Sequence, residues 1–280
     1  MKINNLKSIL LLALVAFSGL SFSQEATLLY NLAKGKTFVQ NTKLSNTITQ
    51  TMGPNEIKIL MDISINAEIF VENVAENGDI TVLEVLKDMT MRNVAMGKDT
   101  TLKFDNINER SRVAYTKDGK LISRTVLDTA SIPGLSESSK QNWMYLQLPG
   151  KKVKVGETWS NVSTETNARS SANPFETTTN SDFKYTYTGV EAKDGKPFYR
   201  IEFEATLNVE GKGEQMGMQM FVEGTGKNKG FGLFDSNSSV VSYIEFETGI
   251  DMSISVSGQQ NMSIPMSQSM KTVITLQEKK

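Results

Sequence analysis

Ile57-Lys58-Ile59-Leu60-Met61-Asp62-Ile63-Ser64-Ile65-Asn66-Ala67-Glu68-Ile69-Phe70-Val71-Glu72 carries the strongest periodicity in the chain. Every odd position is apolar, and Lys58, Asp62, Ser64, Asn66, Glu68 and Glu72 hold most of the even ones. A two-residue period belongs to a strand with one dry face, because successive side chains point to opposite sides of a sheet. At about 3.3 Å per residue the odd positions span roughly 50 Å, so the strand is expected to bend with its sheet.

The flanks read the same way. Upstream, Phe38, Leu44, Ile48 and Met52 fall on even positions among Thr, Asn, Ser and Gln, and Gly53-Pro54-Asn55 supplies the turn between two strands. Downstream, Asn77-Gly78 is a hairpin signal, residues 80–91 return as a strand, and Asp118-Gly119 separates two short strands at 112–115 and 121–126. Residues 160–181, rich in Ser, Thr and Asn, are expected to form exposed strands or a loop.

Clean alternation resumes at Tyr199, Ile201, Phe203, Ala205, Leu207 and Val209, then at Met216, Met218, Met220 and Val222. Ile244, Phe246, Ile250, Met252, Ile254 and Val256 line one face of a long strand, and after a turn at 258–260 so do Met262, Ile264, Met266, Met270, Ile274 and Leu276. Pro265 has no N–H to give a ladder, which marks the last strand as an edge or as bulged there.

The chain repeats its landmarks. Gly35-Lys36-Thr37-Phe38 is matched by Gly156-Glu157-Thr158-Trp159, and the turns near Pro54, Asn77-Gly78 and Asp118-Gly119 by those near Pro174, Asp194-Gly195 and Asn237-Ser238, at nearly constant spacing. An internal duplication is expected, with Phe38 and Trp159 as equivalent inward anchors. Between the halves, Ser136-Glu137-Ser138-Ser139-Lys140 has the pattern of a helix start, which predicts a helix over 136–147 ended by Pro149-Gly150. The expected fold is all-β and mainly antiparallel: two repeats of long curved strands forming half-barrel or sandwich-like sheets, with one short connecting helix. The expected division is 1–23 leader, 24–130 first repeat, 131–150 helical connector and 151–280 second repeat.

Composition excludes more chemistry than it suggests. With no cysteine and no histidine among 280 residues, disulfides, Cys/His metal sites, thiol nucleophiles, Ser-His-Asp triads and histidine acid-base catalysis are ruled out. No cofactor is implied, and a net charge of −1 argues against nucleic acid as a partner. Lys2 and Lys7, an apolar run at 9–17 and Ser21-Phe22-Ser23 read as a secretory leader cleaved after Ser23, giving an exported protein, periplasmic or secreted. Its removal takes the net charge from −1 to −3. No later stretch is apolar enough to form a membrane-spanning helix.

Three polar patterns have spacings that chemistry could use. Glu202/Glu204 and Glu245/Glu247 have the spacing of a glycosidase acid pair but alternate outward, where a solvated face explains them. Gly224-Thr225-Gly226-Lys227-Asn228-Lys229-Gly230 resembles a phosphate cradle, yet no helix pattern comes after it, so a hairpin loop is expected. The oxygen-rich runs at 105–109 and 235–237 lack a calcium loop's central glycine and closing glutamate and read as turns.

Methionine is the unusual component, 14 in all. Met216, Met218, Met220, Met252, Met262, Met266 and Met270, together with Phe246, fall on inferred inward faces of the second half. Thioethers suit an adaptable apolar surface, so these residues are the candidate lining of an apolar cleft; the alternative is that they fill a solid core.

The Leu32 to Phe38 opening and the mid-chain Leu148-Pro149-Gly150-Lys151-Lys152-Val153-Lys154-Val155-Gly156-Glu157-Thr158-Trp159 resemble a family of uncharacterised secreted proteins of Gram-negative bacteria, a domain of unknown function. The resemblance implies no activity and no catalytic residue. Long curved strands with a helical plug are also similar in architecture to the half-barrel carriers of lipoproteins in the periplasm. The expectation is therefore a non-catalytic envelope protein that binds or carries an apolar ligand or lipidated client. A structural or protein-interaction module with an envelope partner is the alternative, and a carboxylate-dependent hydrolase the third reading.

Overall fold

Gly35 and Gly156 both adopt positive φ, 88° and 87°, and each opens a strand in the same way. Gly35 N donates to Val71 O and Val71 N to Lys36 O; Gly156 N donates to Tyr187 O and Tyr187 N to Glu157 O. The two stretches thus share one local geometry as well as one sequence pattern. In both places nothing lies within 4 Å of where a Cβ would stand, so the glycine answers to backbone conformation alone.

The computed structural model describes residues 25–52, 54–128, 144–167, 169, 175–215, 218–257 and 262–279. Its fourteen strands are, in order, β1 (Glu25–Leu28), β2 (Thr37–Met52), β3 (Asn55–Val74), β4 (Ile80–Ala95), β5 (Lys98–Phe104), β6 (Glu109–Tyr115), β7 (Leu121–Val126), β8 (Lys151–Lys154), β9 (Thr158–Asn167), β10 (Phe175–Lys193), β11 (Lys196–Gln215), β12 (Met218–Asp235), β13 (Val240–Ser257) and β14 (Met262–Glu278). The fold is all-β, and the pairings are antiparallel. The expected leader at 1–23 lies outside the described residues.

Twelve strands form one sheet in the order β7-β6-β4-β3-β2-β14-β13-β12-β11-β10-β9, with β5 paired to β4 beside β6. β5 and β6 are one strand interrupted at residues 105–108, where Asn106 and Asn108 take φ of 56° and 52°. The oxygen-rich run there is a backbone kink, in keeping with its reading as a turn. Asp194 and Gly195, at φ 52° and 74°, make the tight turn whose twist matches the flanking strands of β10 and β11.

β14 overturns one expectation. Read as an edge or bulged because of Pro265, it lies in the middle of the sheet, joining β13 to β2. The proline is tolerated because pairing to β2 begins only at Met266↔Gln50, so Pro265 has β13 alone as neighbour. The glycine-rich run 224–230 is a second correction. It is not a hairpin loop but the middle of β12. Gly224, Gly226 and Gly230 face inward, and a Cβ at each would collide with Met252, Ile250 and Phe246 of β13. The glycines let two strands approach beneath large neighbours.

The sheet curls around a short internal segment. Flat, eleven strands in sequence would hold β7 and β9 about 48 Å apart. Instead Gln147 reaches both ends: its carbonyl oxygen accepts the Trp159 indole N–H of β9 at 2.8 Å, and its side-chain amide donates to Asp118, beside β7, at 3.0 Å. Among the described residues β7 and β9 do not pair, so the sheet is wrapped but not closed.

The wrapped end holds the core. Met144, Leu146 and Leu148 are buried at every second position, while Tyr145 and Gln147 hydrogen-bond outward from the same segment. Residues 144–148 are thus extended rather than the end of the expected helix, and 129–143 lie outside the described residues. Their two-residue alternation in a narrow space favours an extended run over a helical turn. β1 and β8, neither anticipated from sequence, pair as a separate ribbon, and Ala26, Leu28, Tyr30, Leu32 and Val153 complete the core.

Candidate functional site

Strand register converts the inner face into rows that run across the sheet. The innermost complete row reads Trp159, Tyr185, Phe203, Gly230, Phe246, Thr272, Leu44, Ile63, Met91. It is an aromatic belt, with Trp159 stacked on Tyr185 at 5.6 Å and Tyr185 near Phe203 at 6.1 Å. Gly230 leaves a gap in the belt. Tyr145 fills it from the internal segment, stacked on Phe246 at 4.6 Å with its hydroxyl accepting from Asn228 Nδ2 at 3.2 Å. Burial pushes the Tyr145 hydroxyl well above its usual pKa, so it stays neutral.

One row further out the face turns polar: Asn161, Phe183, Ala205, Asn228, Thr248, Met270, Asn46, Met61, Asn93. The next two rows are apolar again over the middle strands. Leu207, Gly226, Ile250, Gln268, Ile48 and Ile59 make one, and Val209, Gly224, Met252, Met266, Gln50 and Ile57 the other. Ile57, Ile59, Met61, Ile63 and Ile65 are half-buried, unlike Ile69 and Val71 at the wrapped end, which are fully buried.

The methionines singled out from sequence distribute along this gradient. Met252 and Met266 stand directly opposite one another, with Gln50 Nε2 donating to the Met266 sulfur at 3.6 Å. Met220 and Met262 flank Val256 in the outermost row, and Met270 lies in the polar row. Phe246 is closed off beneath Tyr145, and Met218 is exposed at the first position of β12. Met216 lies outside the described residues. Sequence reading missed Asn46, Asn228, Thr248 and Thr272, all buried on the inner face. Part of their signal was available, since 248 and 272, like 242 and 268, interrupt the apolar even positions of β13 and β14.

The outward face is the opposite in character. β11 presents Arg200, Glu202, Glu204, Thr206, Asn208 and Glu210, and β13 presents Glu245, Glu247, Asp251 and Ser253. Hollows of about 660, 380 and 690 Å³ on this side are lined mainly by such residues, among them Thr47, Thr225, Asp251 and Ser267 in the first and Lys184, Lys229 and Glu204 in the others. The first also touches Leu207, Gly226, Ile250 and Gln268 of the first apolar row, and the third Trp159, Ala205 and Asn228. Glu245 is held below the usual carboxylate range by hydrogen bonds from Lys271 and Tyr243. That is the wrong direction for a general acid, and Glu247 beside it is exposed. Among the described residues no group of three or more Asp or Glu could hold a metal ion.

No family model matches the chain, and no curated protein matches it. Among solved structures, an outer membrane channel from Pseudomonas putida F1 is similar at 8% identity and TM-score 0.29, covering 92% of this chain and 98% of that one. Pseudomonas aeruginosa OccK7 gives 5% and 0.26 over 88% and 100%, and the translocator domain of the autotransporter NalP from Neisseria meningitidis 9% and 0.21 over 96% and 95%. Scores this low carry no argument about fold or role. The distribution of side chains points the other way, because a barrel in a bilayer has an apolar outer band and a polar interior. Here most charges are outside and most Ile and Met inside, with Phe70 and Phe221 exposed on the outer face. Among the described residues no helix is long and apolar enough to cross a membrane.

Proposed function

We propose that the chain is a non-catalytic, exported protein of the cell envelope that binds or carries an apolar ligand on the inner face of its curled sheet. One observation carries the reading: the wrapped end is closed by its own segment, while the inner face continues outward in apolar rows that are half-buried on β3 and β13 and buried on β11 and β12. A sheet needing only stability could end where its core ends. These strands run 16 to 20 residues, far past the closed core, and beyond the polar row their inner face becomes mainly apolar again. Methionine at Met252, Met266 and Met262 supplies a surface that can repack around different apolar shapes. The hydrophilic outer face suits an aqueous compartment, and the leader pattern at 1–23 suits export.

The reading is tested by displacement of a fluorescent apolar dye from the chain lacking residues 1–23. Dye binding at one per chain that is lost in Met252→Asp or Met266→Asp, with unchanged circular dichroism, is the expected result. Dye binding that both variants leave intact would place the ligand surface elsewhere.

A further inference from the structure

Among the described residues five buried side-chain atoms have no hydrogen-bond partner: Tyr187 Oη at the wrapped end, and Asn46 Oδ1, Asn228 Oδ1, Thr248 Oγ1 and Thr272 Oγ1 further along the inner face. The side chains of the last four are 7%, 5%, 5% and 0% exposed. They are not scattered. Asn228 and Thr248 are direct neighbours on β12 and β13, Asn46 lies beyond Met270 in the same row, and Thr272 sits one step inward between them. Stranding one such atom away from water is costly, and buried polar groups in native proteins are ordinarily paired. A contiguous set of four, three in the polar row and Thr272 in the belt row beneath it, with apolar rows beyond, is a place built to be completed by something else.

We infer that this polar row binds the uncharged, hydrogen-bond-donating head of a single-chain lipid of the monoacylglycerol class, an inference that rests on the carrier reading above. The chemistry selects the head. The Asn228 amide nitrogen is already committed to Tyr145, which leaves its oxygen as an acceptor only, and the Asn46 oxygen is likewise an acceptor. The two threonine hydroxyls can donate or accept. A partner must therefore bring O–H or N–H donors. A carboxylate or phosphate brings none, and from Asn161 to Asn93 the row contains no cation to balance one. The strand beyond the polar row selects the tail. From Thr248 the inner face of β13 continues through Ile250, Met252 and Ile254 to Val256, roughly 27 Å of strand suited to one extended acyl chain.

The test compares 1-palmitoylglycerol with palmitate, equal in chain and different in head, as displacers of the same dye at pH 8. The expected result is at least a tenfold preference for the glyceride, the scale of two or three net hydrogen bonds. Asn228→Leu and Thr248→Val should bring the ratio to within about twofold while leaving palmitate unchanged. Thr248→Val and Thr272→Val should also raise the melting temperature of the ligand-free chain, because each removes an unpaired buried hydroxyl at nearly constant volume. Equal affinity for the two lipids, or a ratio untouched by the variants, overturns the polar-row inference and leaves the carrier reading standing. Failure of both lipids and the dye to bind overturns the two together.

Discussion

The indole N–H of Trp159 donates to the carbonyl oxygen of Gln147 at 2.8 Å, so β9, at one end of the large sheet, is fastened to the segment that passes inside the curl. The same residue holds Asp118 at the far end of the sheet through its side-chain amide. Trp159→Phe keeps the ring stacked on Tyr185 and removes the hydrogen bond. It should cost about 1–2 kcal/mol in urea unfolding, the loss of one partly buried bond and some volume. An unchanged midpoint would mean that the fastening adds nothing to the wrap.

Gly230 and Gly249 form a natural pair of probes. A Cβ at Gly230 would run into Glu245 O and Phe246, while nothing lies within 4 Å of one at Gly249. Gly230→Ala should destabilise by roughly 2–4 kcal/mol, and Gly249→Ala should be neutral or stabilise by up to about 1 kcal/mol. Equal effects would show that the close approach of β12 to β13 does not constrain the sheet.

Gly35→Ala and Gly156→Ala should each cost about 1–2 kcal/mol, and by similar amounts, since both place a Cβ at positive φ in otherwise open space. The measurement is the difference between the two unfolding free energies. A large difference would separate the two openings despite their matching hydrogen bonds.

Stability should be flat in pH across the neutral range, for the chain has no histidine. Hydrogen bonds from Lys279, Arg112 and Lys271 hold Glu68, Glu72 and Glu245 below the usual carboxylate range. Such groups contribute stability that is present above the unfolded value of about 4.3 and is lost as pH falls through their folded values. Burial raises the Tyr30, Tyr145 and Tyr185 hydroxyls and pushes Tyr243 up to about 12. Their contribution is complete below about 10 and is lost as pH rises. Thermal melts from pH 3 to 11 should give a plateau from about 5 to 9 with a fall on both sides; a midpoint near 6.5 would contradict it.

Much of this molecule was legible in its residues. The odd-position run from Ile57 to Val71 announced β3 and its inner face, because burial on one side writes a period of two directly into sequence. Turn chemistry placed the hairpins at Asn77-Gly78 and Asp194-Gly195, where positive φ is needed. What failed was non-local. Pro265 and the glycines of β12 break strand rules taken alone, and they are tolerated because the pairing of β14 with β2 stops one residue short of Pro265 and large side chains of β13 cover the glycines. The short β1 and β8 carry too few residues to show a period, although Ala26, Leu28, Tyr30 and Leu32 alternate. The methionine rows were found from parity, but the polar row between them and the aromatic belt emerged only from register, which no single strand encodes.

Native mass spectrometry of the chain purified from its own host is the most direct test of an inner-face ligand. A stoichiometric apolar adduct, absent from Met252→Asp and Met266→Asp, is the expected spectrum. Bare chain alone, from the host and again after incubation with 1-palmitoylglycerol, would contradict it.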